Sequence, residues 1–406
     1  RPVLKRMPPK TQIAIVTQDL STSGGVATVA RFLEETLQRS EQFTVDMISV
    51  ALGASDRASI QVRRPATWGD GVQVLSERAG KVAYDHVGAV ASEIEYFRYQ
   101  PRKQLTERLN QYDLVQVVAG TPAWAQVCKH VRVPVALQVA TLARVERTSA
   151  LDDRLHPVAL WRRAMTHLTD WLDHHALRHV DVAFVENQWM HDHLQDYLQD
   201  EQIVFAPPGV DAERFSEGPP PSHGEYLLSV GRFADPRKNV HLLLKAYAQF
   251  REQADDPLPL VLAGRTPPPE DAWALAEQLG IREAITFHED VPADELPSLY
   301  RDTALYVVSA NEEGLGLTIL EAMASGRPVV STDCGGPSTT VVEGKTGLLT
   351  PIGDASALAQ AMADVVSNPA KMDAMGRAAR QRVEDHFSKE AAGQRFLDVY
   401  EQLLSA

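Results

Sequence analysis

The sequence predicts an α/β protein built from two doubly wound parallel sheets in series. Three observations carry this expectation. Short β-branched and apolar runs alternate with helical patterns along the chain, as parallel strands joined by crossover helices require. The proline-rich stretch "SEGPPPSHG", Ser216 to Gly224, interrupts the alternation, and the pattern then restarts. With 406 residues, 44% hydrophobic and 23% charged, the chain has material for more than one core.

Before the break the expected strands are "IAIVTQ", "VDMISV", "YDLVQVVAG", "VPVALQVAT", "VDVAFVE" and "IVFAPPG". After it they are "EYLLSVG", "LPLVLAG", "AITFHED", "ALYVVSA", "RPVVSTD" and "TGLLTP". The expected domains are 1–215 and 224–387, with a linker at 216–223. Ligands of such sheets bind beyond the carboxyl ends of the strands, so two domains facing one another would form a cleft from two sets of loops.

Three of those loops attract attention. In "QDLSTSGGVATVARFLEETL", Gly24 and Gly25 precede an amphipathic helix, where bare amides suit a phosphate or a sugar, or form a tight turn only. In "SVGRFADPRKNVHLLLKAYAQF", Arg232 follows a strand-ending glycine and Lys238 stands at the start of the next helix. A cation there gains nothing from the helix dipole, which suits an anion clamp better than a solvated charge pair. In "EEGLGLTILEAMASG", Glu313 lies in a glycine-rich loop and Glu321 on the helix behind it, expected from Thr318 to Ser325 and ended by Gly326. Two carboxylates so placed suit a polyol with hydroxyls at separated positions, and the loop amides can take an anion. A nucleotide-sugar has that form.

Composition excludes several classes. A net charge of -14 disfavours general binding to nucleic acid or to an anionic membrane, and leaves room for a local basic patch. The two cysteines, Cys128 and Cys334, offer neither a disulfide framework nor zinc spacing. No apolar run has the length of a membrane span, and "RPVLKRMPPK" has no apolar core for a signal peptide, so a cytoplasmic location is expected. His175 and His179 have the spacing of a metal pair, but no acid or cysteine completes it on the same face, and a helix surface is the better reading. No Asp-x-Asp pair ends a strand, and no metal or other cofactor is expected. Trp68, Trp124, Trp161, Trp171 and Trp189 fall in the expected first domain, with one or two at most expected to meet an acceptor. Arg162 and Arg163 beside Trp161 make peripheral membrane contact or an anionic acceptor conceivable, with a solvated helix face as the plainer reading.

"GRFADPRK", "NEEGLGLTILEAMASGRPVVSTDCGG" and "EGKTGLLTPIGD" together resemble the retaining glycosyltransferases of family four, whose two Rossmann-like domains form the GT-B architecture. The resemblance is densest between Gly231 and Asp354. It implies that Glu313 binds hydroxyls of the donor sugar, Glu321 the ribose hydroxyls, and Arg232 with Lys238 the diphosphate. Amides from Gly314, Leu315, Gly316, Leu317 and Thr318 would complete the donor site. The "HEDVP" loop, with His288 and Val291, would lie where the base is read. The first domain would receive the acceptor, and the closing helix, 388–406, would cross back to it. The chain departs from the family at Ala140, where a histidine is common, beside Gln138 and Thr141. It departs again at Leu315, usually phenylalanine, and at Thr339, commonly glutamate.

The expected activity is transfer of a glycosyl unit from a nucleotide diphosphate sugar to an acceptor hydroxyl with retention. The route expected is metal-independent and front-face. Arg232, Lys238 and helix amides would stabilise the leaving diphosphate, with Glu313 counted among the catalytic groups. The acceptor, whether glycan, lipid-linked or small molecule, is left open. The alternatives are a nucleotide-sugar epimerase or sugar phosphorylase on the same fold, or a non-catalytic nucleotide-sugar-binding subunit.

Overall fold

The structure, a computed structural model, describes residues 10–18, 20, 25–148, 157–254 and 256–405. They divide into two compact units. Unit 1 takes in the chain to Val185, then Met190–Ala206 and Gly393–Ala406, and unit 2 takes in Glu186–Trp189 and Pro207–Ala392.

Unit 1 holds strands β1 (Thr11–Gln18), β2 (Phe43–Val50), β3 (Val74–Ala79), β4 (Val82–Val87), β5 (Leu114–Ala119), β6 (Val135–Val139), β7 (Val182–Val185) and β8 (Ile203–Phe205). They form one sheet in the order β3-β4-β2-β1-β5-β6-β7-β8. Every residue of β5, β6 and β7 is buried, as expected of central strands covered by helices on both faces. Their side chains form the core with Tyr99, Trp124 and Leu172 from the covering segments.

The antiparallel hairpin of β3 and β4 was not among the expected strands. β3 reads "VLSERA", alternately exposed and half-buried, and lies at the sheet edge, so it lacks the apolar run that marked the others. Gly80 and Lys81 form its two-residue loop, and β4 then joins β2 in parallel.

Unit 2 holds β9 (Tyr226–Val230), β10 (Leu260–Gly264), β11 (Ile285–Glu289), β12 (Thr303–Val308), β13 (Val329–Thr332) and β14 (Gly347–Thr350). The order is β11-β10-β9-β12-β13-β14, all parallel. Strand order therefore reverses between β9 and β12, and the crevice beyond their carboxyl ends is where such a sheet receives a ligand.

Two segments depart from simple succession. The proline-rich stretch is built into unit 2, because the buried Arg327 guanidinium donates to the carbonyls of Pro219 (2.7 Å), Thr303 (3.0 Å) and Ser325 (2.9 Å). Three carbonyls replace the water that this cation loses. The closing helix Lys389–Ser405 runs into unit 1, where Phe396 packs on Phe32 and Phe184. Further along, the Tyr400 hydroxyl donates to the buried Gln116 at 2.7 Å.

Candidate active site

The crevice of unit 2 is assembled from three loops. After β9, Asp235 caps a single 3-10 turn, Pro236–Lys238, by accepting from Arg237 N–H, and Asn239 then caps helix Val240–Gln253 by accepting from Leu242 N–H. Lys238 thus sits one residue ahead of the helix cap. After β12, Asn311 N–H donates to the Arg237 carbonyl at 2.7 Å, and the Asn239 amide donates to Asn311 Oδ1 at 2.9 Å. The Ser309 hydroxyl binds the carbonyls of Lys238 and Asn239 at 3.0 and 3.1 Å. The two loops flanking the reversal point are thereby held in register.

This registration brings Lys238 and Glu313 together, 75 positions apart in sequence, as a hydrogen-bonded ion pair. Their side chains are 21% and 18% exposed, so both still reach solvent. Arg232 differs: its side chain is 68% exposed and meets the flank of Asp235, at 3.4 Å. Arg237, which the sequence did not single out, holds Asp235 at 2.8 Å. Burial would raise the Asp235 carboxyl, but the bonds from Arg237 hold it below the usual range.

The third loop follows β13. Glu313 N–H donates to the Cys334 carbonyl (3.3 Å), and Gly336 N–H donates to the Glu313 carbonyl (2.8 Å). A Cβ on Gly336 would stand 2.5 Å from the Gly314 carbonyl oxygen, so only glycine permits this approach. Asn187, from the short segment that groups with unit 2, donates to the same carbonyl at 2.5 Å. No local pattern in the sequence marked Asn187.

Gly316, at φ +82°, turns the chain into helix Leu317–Ala324, one residue ahead of the expected start. The first intrahelical bond runs from Ile319 N–H to the Gly316 carbonyl, so the amides of Leu317 and Thr318 precede it at the helix entrance. Leu315 is buried beside this entrance and acts as a packing residue. Glu321 accepts from the Tyr300 hydroxyl at 2.7 Å. Desolvation pushes its carboxyl up to about 7, while the Tyr300 bond and Arg214 oppose the rise.

His288 and Val291 lie at and just beyond the end of β11, the edge strand, with His288 exposed. Two strand spacings, about 10 Å, separate that strand from β9. The Thr339 hydroxyl oxygen is buried with no hydrogen-bond partner. Arg382 binds the carbonyls of Thr339 and Thr340 at 2.9 and 2.7 Å.

In unit 1, Gly25 opens helix Gly25–Arg39 and is exposed, with nothing among the described residues within 4 Å of where a Cβ would stand. Gly24 lies outside the described residues. The amides of Ala140 and Thr141 both point to the Gly120 carbonyl, at 3.4 and 3.0 Å, and Gln138 is buried on β6. Asp173 ties the neighbouring loops by accepting from Ala123 N–H (2.8 Å) and Ala143 N–H (2.7 Å). Ser49, His86 and Asp56 form a hydrogen-bonded chain of 2.7 and 2.6 Å, but Ser49 and His86 are fully buried, so this chain joins β2, β4 and the loop at Asp56 and offers no substrate a nucleophile. Among the described residues, no three His, Cys, Asp or Glu side chains gather as a metal site. No helix among them is long and apolar enough to cross a membrane.

Residues 210–382 match the family described as glycosyl transferases group 1. The chain is 30% identical over 214 residues to a GDP-mannose-dependent alpha-(1-6)-phosphatidylinositol monomannoside mannosyltransferase of Mycolicibacterium smegmatis, a match covering 48% of this chain and 56% of that protein. It is 29% identical over 293 residues to a D-inositol 3-phosphate glycosyltransferase of Corynebacterium glutamicum, covering 68% of each. Its fold is similar to sucrose-phosphate synthase from Thermosynechococcus elongatus, with a TM-score of 0.71 at 21% identity over 98% of this chain and 100% of the other.

Proposed function

We propose that this chain, a GT-B glycosyltransferase of the family-four type, transfers a hexosyl unit from a nucleotide diphosphate sugar to an acceptor hydroxyl with retention at the anomeric carbon. The observation that carries the reading is the Lys238–Glu313 pair at the reversal point of the unit 2 sheet, beside the helix entrance at Gly316. In the proposed complex Lys238 and the amides of Leu317 and Thr318 receive the diphosphate, and Arg232 swings in from solvent. Glu313, released from Lys238, accepts bonds from the sugar hydroxyls, and Glu321 accepts them from the ribose. His288 and Val291 border the base.

The chemistry asks for charge stabilisation and position. As the bond from the anomeric carbon to the β-phosphate oxygen breaks, negative charge grows on the diphosphate, where Lys238, freed from Glu313, and the helix amides would meet it. The acceptor oxygen attacks from the same face, and its proton passes to the departing phosphate oxygen. These groups supply the charge without a metal, and we infer a metal-independent reaction. Nucleotide sugars are made in the cytoplasm, which is the location this reading implies.

The names of the two relatives support a donor such as GDP-mannose and an acceptor containing inositol phosphate. Incubation of the chain with GDP- and UDP-hexoses, with and without inositol phosphates and with chelator present, tests the reading. A glycoside whose anomeric configuration matches the donor is expected. An inverted product or a strict metal requirement would overturn the mechanism. Donor consumption without acceptor would indicate an epimerase, and consumption driven by phosphate a phosphorylase.

A further inference from the structure

Helix Pro157–Ala176 of unit 1 turns Trp161 and Trp171 outward, 57% and 53% exposed. At helical spacing these two share one side with Ala164, Leu168 and His175. Trp171 stacks on His175 at 4.8 Å between ring centroids, and His175 meets His179 edge-on at 5.9 Å. His179 lines a cavity of about 390 Å³ together with Lys129, Arg132 and Arg178. Those three cations are exposed, and the His179 Nε2 is buried without a hydrogen-bond partner. One acid, Asp181, also lines the cavity, and its carboxylate accepts from Val135 N–H at 2.7 Å. The cavity lies at the amino ends of β6 and β7, the edge of the sheet opposite to its ligand-binding end.

We propose that this side of the helix and the basic cavity at its end form a docking site for an anionic phospholipid surface. Charge complementarity is the argument. The chain carries -14 overall, so a cavity with three cations against one acid creates a local field opposed to that of the whole molecule. Beyond about 10 Å that overall charge is largely screened at moderate salt, while the cavity cations lie at the surface itself. Exposed indoles are at home at the level of lipid headgroups, where one end of the ring is apolar and the other wet. A soluble phosphate compound would use the cavity alone and leave Trp161 and Trp171 unexplained. A lipid surface uses both, with the headgroup phosphate among Lys129, Arg132 and Arg178 and the two rings in the interface.

Co-sedimentation of the full chain with phosphatidylcholine vesicles, with and without phosphatidylglycerol, tests the proposal, and tryptophan emission is followed in parallel. Binding is expected only to the anionic vesicles, with a blue shift of emission and release by high salt. Trp161→Ala with Trp171→Ala is expected to abolish the shift and most binding. Arg132→Ala with Arg178→Ala is expected to weaken binding about 25-fold, at roughly fivefold for each cation. All four side chains are exposed, and unchanged thermal unfolding of the variants confirms an intact fold. Equal binding to neutral vesicles, no vesicle binding at all, or undiminished binding in both variants would overturn the proposal. So would saturable binding of glycerol phosphate without vesicle binding, which would make the cavity a site for a soluble anion. The measurement needs no donor or acceptor, so its failure is distinct from failure of the glycosyl-transfer reading.

Discussion

The two sheets reverse strand order at equivalent points, β1 beside β5 in unit 1 and β9 beside β12 in unit 2, yet the described loops beyond their carboxyl ends are held differently. In unit 2 the loops are joined through Lys238–Glu313, Arg237–Glu312 and Asn239–Asn311, so charged groups stand at the crevice itself. In unit 1 the loops after β5 and β6 are joined by backbone bonds to the Gly120 carbonyl and by Asp173, which is almost wholly enclosed. One topology therefore supplies two crevices, and the side chains give them different chemistry. Under the proposed function the unit 2 crevice receives the donor, where an anionic, hydroxyl-rich ligand meets charged partners.

The largest expected effect comes from crowding the three-loop clasp of unit 2. Gly336→Ala must displace the Gly314 backbone, and a shift of that kind in a substrate-positioning loop costs about 100-fold in kcat/KM. Gly25→Ala in unit 1 meets no atom of the described residues, so thermal stability is expected to stay unchanged, and a fall in donor affinity would report a ligand approaching Gly25. Equal turnover in wild type and Gly336→Ala would show that the clasp does not position the donor.

Next in size is the loss of the buried-side cation. Lys238→Ala is expected to weaken nucleoside diphosphate by roughly 1.5–3 kcal/mol, about 10- to 150-fold by calorimetry. Arg232→Ala, whose side chain begins in solvent, is expected to cost less. A larger loss at Arg232 would reverse the ranking that exposure gives.

A smaller effect follows from Glu321. Ribose hydroxyls donate to an ionised carboxylate, so with the carboxyl raised to about 7, donor affinity is expected to rise about tenfold between pH 6 and 8. Glu321→Gln should flatten that profile. The same raised value works against the free fold. Its contribution to stability is full below the unfolded value near 4.5 and is lost as pH rises through about 7, so the Gln variant should show less decline across that window. A pH-independent donor affinity in the wild type would remove Glu321 from the ribose.

The smallest effect on donor binding is expected at Asp173→Asn. The amide cannot accept from both Ala123 and Ala143, so stability should fall by about 1–3 kcal/mol while nucleoside diphosphate affinity is unchanged. Lost donor affinity at unchanged stability would show that Asp173 does more than join loops.

What the sequence by itself determined was the set of buried strands and the residue types at their ends. Strands such as β5 and β12 are buried along their whole length, so their apolar runs are legible without a partner. Gly316 and Glu321 lie on one short stretch where local turn and helix rules apply, and the helix was legible to within one residue. The β3 edge was not legible, because half-exposed strands carry charge and draw their stability from the neighbour they pair with. Only the tertiary structure decided that Lys238 pairs with Glu313, that Gly336 must lack a side chain, that Tyr300 holds Glu321 and that Asn187 reaches the Gly314 carbonyl. Each joins segments far apart in the chain, and such bonds depend on strand order, which hydrophobic periodicity does not encode. The exposed side of helix Pro157–Ala176 belongs to the same class: the sequence places Trp161 and Trp171 on a helix, but whether they face a core or solvent is settled by which side packs on the segments Pro122–Cys128 and Ala143–Thr148.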